Sequence, residues 1–198
     1  MRFPPAPTPP YYNDLAGSLQ EAWQLLSRGA ADRRSPMHTP TIATVGLDGA
    51  PRVRVVVLRH ADATARTVRF HTDKRTTKIE EIANNPAVQV LCYDPNSKIQ
   101  LRLLGRARVH HADDVAHLAF TRSQPQSQLC YRQSAPPGSS GAEPATLTDA
   151  AAHDGEENFS AVVIQIDEIE WLFLAAAGHR RARYTWYNGS LTSTWLAP

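Results

Sequence analysis

Cations and hydroxyls gather at three places in this chain where a strand is expected to end. The first cluster is Arg54-Val55-Val56-Val57-Leu58-Arg59, an apolar run with a guanidinium at each end. The second is Thr72-Asp73-Lys74-Arg75-Thr76-Thr77-Lys78, which runs into an amphipathic segment. The third is Gln100-Leu101-Arg102-Leu103-Leu104-Gly105. Helix-start N–H groups, threonine hydroxyls and a lysine can converge on a phosphate without a glycine-rich loop. Arg54 and Arg59 have opposite parity, so a regular strand, expected to be buried on both faces, aims them at different groups. One is suited to a cofactor phosphate and the other to a substrate. The Gln100 amide both donates and accepts, which suits the edge of a flavin or a pyrimidine.

These residues need a scaffold. Leu15, Leu19, Trp23 and Leu26 recur at helical spacing from Asp14 to Arg28, with Gly29 as the stop. Strands are expected at 41–45, 52–58, 67–72, 88–93, 99–109, 160–166, 169–174, 183–187 and 191–195. Asp48-Gly49 and Asn188-Gly189 supply hairpin turns. Thr77-Lys78-Ile79-Glu80 matches a capping box, so a helix starts there and closes at Asn84-Asn85-Pro86. Asp113 or Asp114 caps a short helix through Val115 and Leu118. The segment 134–158, rich in Pro, Gly, Ser and Ala, reads as a long mobile surface loop. Hairpin-linked strands with few helices point to a closed antiparallel barrel, and the order of elements does not suit a parallel nucleotide-binding sheet.

Composition narrows the function. The chain has 198 residues, 42% hydrophobic and 20% charged, which suits one soluble domain, 1–198, with residues 1–13 as an extended arm lying on a partner subunit. A formal net charge of +2 gives no general affinity for nucleic acid or membranes. No apolar run approaches the roughly 20 residues that span a bilayer, and the proline-rich start has no signal-peptide core. Cys92 and Cys130 form no disulfide framework, in keeping with a cytoplasmic protein. His110, His111 and His117 lack metal-ligand spacing, so no metal is expected.

Taken in order, the clusters resemble the pyridoxamine 5'-phosphate oxidase-related FMN-binding family. The resemblance runs from about Arg52 to Pro198, through R-V-V-V-L-R (54–59), F-H-T-D-K-R-T-T-K (70–78), N-N-P and Q-L-R-L-L-G (100–105). It continues in R-Q-S (132–134), I-E-W (169–171), the pair Arg180 and Arg183, and the terminal W-L-A-P. The proline-rich start and the Trp23 helix look more like the oxidase-related branch than the biosynthetic enzyme. The resemblance implies a mainly β fold, a six-stranded antiparallel split β-barrel with flanking α-helices, forming a homodimer with FMN at the interface.

It further implies that Arg54 and Lys78 bind the FMN phosphate, helped by Arg75, Thr76 or Thr77. Val55, Val56 and Val57 run beside the ring, His71 and Thr72 line the cofactor, and Gln100 meets the polar edge of the ring. Gln133, Ser134, Phe159 and Arg183 reach it from the other subunit. Arg59, Ser127 and Arg180 are the expected contacts to a small anionic substrate. The chain departs from the family pattern at Ala119 and Ser123, which stand where the oxidase has a Tyr and an Arg. Thr77 stands for an Arg and Phe159 for a Trp, and the His of the C-terminal R-x-H motif is missing. The expected activity is flavin redox chemistry on an unidentified substrate. Genuine pyridoxamine 5'-phosphate oxidation and a non-catalytic flavin- or haem-binding role are the alternatives, and deazaflavin in place of FMN stays open.

Overall fold

The computed structural model describes residues 8–140, 155–176 and 178–198. Most of the expected 134–158 loop and residues 1–7 of the expected arm lie outside the described residues. Among the described residues nine strands form one antiparallel sheet: β1 (Thr41–Val45), β2 (Pro51–Val55), β3 (Leu58–Asp62), β4 (Thr67–Asp73), β5 (Ala87–Asp94), β6 (Ile99–His110), β7 (Phe159–Phe173), β8 (Arg180–Tyr187) and β9 (Ser190–Leu196). The helices are α1 (Leu15–Ala31), α2 (Thr77–Asn84), α3 (Asp114–Thr121) and α4 (Pro125–Gln128). No helix among the described residues is long and apolar enough to cross a membrane.

The strand order is β2-β1-β5-β6-β7-β4-β3, with the β8–β9 hairpin added along β7. The sheet is curled, so that α2 touches strands near both ends of this order: Lys78 reaches Thr72 of β4, and Glu81 reaches Thr44 of β1 and Arg54 of β2. β2 and β3 are not hydrogen-bonded to each other, so the curl stays split there. Long β7 makes this possible. Its Phe159–Gln165 half pairs with β4, its Glu168–Phe173 half pairs with β8, and β6 runs beside both.

Several expectations are corrected. Among the described residues the sheet has nine strands in all, with the β8–β9 hairpin lying off its main path. The expected strands at 160–166 and 169–174 are one continuous β7. The expected strand at 52–58 is broken at Val56 and Val57: the Val56 N–H still donates to the Pro40 carbonyl (2.9 Å), but Pro40 has no N–H to return the bond. That segment is not buried on both faces, for β2 is an edge strand whose Val53 and Val55 are 63% and 64% exposed. Gly29 lies inside α1 rather than after it. A Cβ there would sit 2.7 Å from the Met37 carbonyl oxygen, so glycine lets the helix meet the Pro36–His38 turn. Tyr11 and Tyr12, in the expected arm, pack edge-on to Phe173 in the same chain.

Other readings hold. The β6 side chains alternate as expected, with Ile99, Leu101, Leu103 and Ala107 buried. The ladder shifts at Leu104/Gly105, where a Cβ on Gly105 would lie 2.0 Å from the Gln165 carbonyl oxygen. Asp113 caps α3, accepting from the Ala116 N–H at 2.9 Å. The Asn188-Gly189 turn has both residues at positive φ, as the tightest hairpins need. Ile42, Val68, Phe70, Ile99, Leu101, Ile164, Ile166, Trp171 and Tyr184 form the core under α1.

Candidate functional site

Where β4 ends, Thr72 points toward the core side and is buried. The chain turns through Lys74 and Arg75 and re-enters as α2, which brings Lys78 back over Thr72. The Lys78 ammonium donates to Thr72 Oγ1 at 2.9 Å, and Thr76 Oγ1 lies 3.3 Å from the same hydroxyl. Burial, and then the nearby Arg54 charge, lower the Lys78 pKa, with Glu81 and Asp73 opposing. No carboxylate among the described residues lies within ion-pair distance of Lys78. A half-buried cation without a counter-ion, two hydroxyls and the open first turn of α2 together form an anion-binding corner.

Arg54 closes that corner from β2. Its Nη2 pairs with Glu81 Oε2 at 2.7 Å, and its Nη1 donates to Thr44 Oγ1. Burial alone would raise the Glu81 pKa, but hydrogen bonds from Thr44 and Arg54 and the Arg54 charge outweigh it and keep the carboxylate ionised. Glu81 and Thr44 were not singled out in the sequence. A threonine on the buried face of β1 was the available signal, since buried polar groups need partners.

The remaining expected residues distribute as follows. Arg75 turns away from Lys78, gripping Asp73 with both Nε (3.0 Å) and Nη2 (2.7 Å) and donating to the Gln133 and Ser134 carbonyls of its own chain (2.8 and 3.0 Å). Thr77 is exposed and lines a separate shallow pocket with Asp48 and Arg52. The capping box expected from Thr77 and Glu80 does not form. Thr76 is the N-cap residue, and its hydroxyl instead donates to the Asp73 carbonyl at 2.8 Å. His71 lies on the opposite face of β4 from Thr72, edge-on to the buried Phe159 ring at 4.8 Å.

Arg183 pairs with Glu170 in the sheet row of Arg102, and Gln100 pairs with Tyr93 and Leu172 in the neighbouring row. Val55 is on the outer surface of β2, while Val56 packs toward the core. Arg59 Nη2 donates to Ser127 Oγ at 3.4 Å. Arg180 sits apart from them, stacked 4.3 Å over the Tyr12 ring and bonded to Asn13.

Residues 20–111 match the model of the pyridoxamine 5'-phosphate oxidase FMN-binding domain. A pyridoxine/pyridoxamine 5'-phosphate oxidase of Anaeromyxobacter dehalogenans is 31% identical over 70% of this chain and 66% of its own length. The chain belongs to the pyridoxamine 5'-phosphate oxidase-related FMN-binding family. Pyridoxine/pyridoxamine 5'-phosphate oxidase 2 of Arabidopsis thaliana is 32% identical over 50% of this chain, which spans about half (51%) of that relative. Among solved structures, a pyridoxamine 5'-phosphate oxidase-related, FMN-binding protein of Nostoc punctiforme superposes with a TM-score of 0.73 at 20% identity, covering 98% of this chain and 100% of that one. PhzG of Burkholderia lata, solved with tetrahydrophenazine-1-carboxylic acid, gives 0.68 at 22% identity, over 97% and 98% of the two chains. These two likenesses carry the fold. The matched domain of this family member is the FMN-binding one and contains the whole Arg54–Thr72–Lys78 corner. The chemistry of that corner fits a flavin mononucleotide: a phosphate would supply the counter-ion that Lys78 lacks.

Proposed function

We propose that this protein is a dimeric FMN-dependent oxidoreductase acting on a small anionic substrate. The observation that carries the reading is the half-buried Lys78, beside Thr72 and Thr76 and with no carboxylate partner among the described residues. Lys78, Thr72, Thr76 and Arg54 hold the phosphate, with Glu81 and Thr44 positioning Arg54. The backbone of Val55 to Val57, at the break between β2 and β3, is assigned to the ring. Bound FMN supplies a two-electron acceptor and donor. The protein supplies orientation and a fixed electrostatic setting. Arg59 and Ser127 hold the anionic end of the substrate.

A second copy of the chain covers the outer face of β2-β1-β5-β6 in this proposal. Val55, Thr41, Leu91 and Arg102 form one row across these strands, and Val53, Ala43, Gln89 and Leu104 form the next. Val53, Val55, Leu91, Tyr93 and Leu104 are exposed there. Contiguous exposed apolar rows of this kind suit a protein interface. Gln100 lies on β6 beside these rows, where a cofactor at the interface would meet it. Cys92 is buried and Cys130 exposed, both as free thiols, which suits a cytoplasmic protein.

The test is the visible spectrum of the purified dimer, mass identification of the released cofactor, and turnover of pyridoxine 5'-phosphate with detection of peroxide. A yellow protein releasing FMN supports the reading, and oxidation of pyridoxine 5'-phosphate would assign it the biosynthetic activity. A colourless protein that does not bind added FMN overturns it.

A further inference from the structure

The β8–β9 hairpin overhangs α1. Tyr184 of β8 is tied to the start of the helix, its hydroxyl donating to the Leu15 carbonyl at 2.9 Å and lying 2.6 Å from Ser18 Oγ. β9 lies beyond it, paired only with β8, and sets Ser193 opposite Tyr184 and Leu191 opposite Trp186. Between this overhang and the helix runs an open groove of about 940 Å³, the size of a small-molecule site. Its walls are chiefly apolar. Leu15, Leu19 and Trp23 follow one another at four-residue steps along α1, and Trp186 and Leu191 face them from the hairpin. Leu191 is 45% exposed.

The helical wall extends from Leu15 to Arg28, a span of about 20 Å at the α-helical rise. Arg28 stands at its far end, and no carboxylate is among the lining residues. A second guanidinium is near. Ala63, in the turn between β3 and β4, lines the groove, and Arg66 of the same turn lies 5.5 Å over the Trp186 ring. Arg66 has a φ of 55°, a conformation that glycine takes at no steric cost. Its carbonyl is held there by the Ile166 N–H at 2.9 Å. Neither Arg28 nor Arg66 makes an ion pair among the described residues. A long apolar trough with cations and without acids complements an alkyl chain that ends in an anion.

We infer that this groove binds a free long-chain carboxylic acid, its alkyl chain along Leu15, Leu19 and Trp23 and its carboxylate at Arg28. The Arg66 charge adds to the pull on the same group. None of the lining residues belongs to the Arg54–Thr72–Lys78 corner, so the inference does not rest on the flavoenzyme reading.

The probe is decanoate, titrated calorimetrically below its micellar concentration into the full chain at constant ionic strength. Octanoate, dodecanoate and 1-decanol are run in parallel. One saturable site per chain is expected, with affinity rising about fourfold for each added methylene. Decanol should bind several-fold more weakly than decanoate, and the double variant Arg28→Gln, Arg66→Gln should remove that difference. Leu191→Asp should weaken decanoate at least tenfold while keeping a wild-type melting curve. The double arginine variant carries the test if Leu191→Asp fails to fold.

Absence of saturable binding, decanol bound as tightly as decanoate, or decanoate affinity unchanged in Leu191→Asp overturns the inference. A lower oligomeric state of Leu191→Asp in sedimentation velocity would assign the groove to a second copy of the chain and also overturn it. Co-sedimentation of the wild type with phosphatidylglycerol vesicles, lost in Leu191→Asp, would mark a membrane-facing surface instead of a site for the free acid.

Discussion

Replacing Lys78 by Met keeps the apolar stem and removes only the ammonium, the one cation of the corner that has no carboxylate partner. Lys78 donates to a single neutral oxygen, Thr72 Oγ1, and the Arg54 charge repels it. A charge-assisted hydrogen bond to phosphate contributes about 1.5–3 kcal/mol, so FMN should bind roughly 10- to 150-fold more weakly. Riboflavin, which has no phosphate, should bind both proteins alike. Stability without FMN should move the other way. The folded-state pKa of Lys78 lies below its unfolded value, so the folded protein carries the proton at a cost below that pKa, and the cost fades as pH rises through it. The Met variant without FMN should therefore unfold at the wild-type temperature or above. Flavin fluorescence titration and a thermal melt check both arms. FMN affinity within about threefold of wild type would remove the phosphate from this corner, and an unfolded variant would show that Lys78 is structural.

Gly105→Ala puts a Cβ against the fixed Gln165 carbonyl and should cost about 3 kcal/mol in urea unfolding, with the β6–β7 register shift disturbed. The His71 pKa falls from its ordinary 6.5 to about 3 on folding, so the unfolded chain binds the extra proton between those values. Stability should fall by up to about 1.4 kcal/mol per pH unit as pH drops below 6.5, and His71→Gln should flatten that part of the profile in urea titrations at stepped pH. Val55→Glu, on the outer face of β2, should turn the proposed dimer into monomers in sedimentation velocity without lowering the melting temperature of the monomer. A monomeric wild type would remove the dimer from the reading.

Much of the fold is legible locally. Period-2 alternation over 99–109 fixes which side chains of β6 go inside, and Asn188-Gly189 fixes its hairpin because both positions need positive φ. Thr72, Thr76 and Lys78 could be grouped from sequence because a strand end, a turn and a helix start lie within seven residues. The cap slipped by one position because the Thr76 hydroxyl found the Asp73 carbonyl, a local competition that a motif does not rank.

What only closure of the sheet decides is who meets whom across distance. Arg54 and Glu81 are 27 positions apart and pair because α2 bridges the two ends of the curled ladder. Arg75 looked like a phosphate ligand, yet its donors are taken up by Asp73 and by two carbonyls more than fifty positions away. Residue type and local period determine which face a side chain takes. The long-range register determines whether a cation on that face finds a carboxylate or is left with its charge for a ligand.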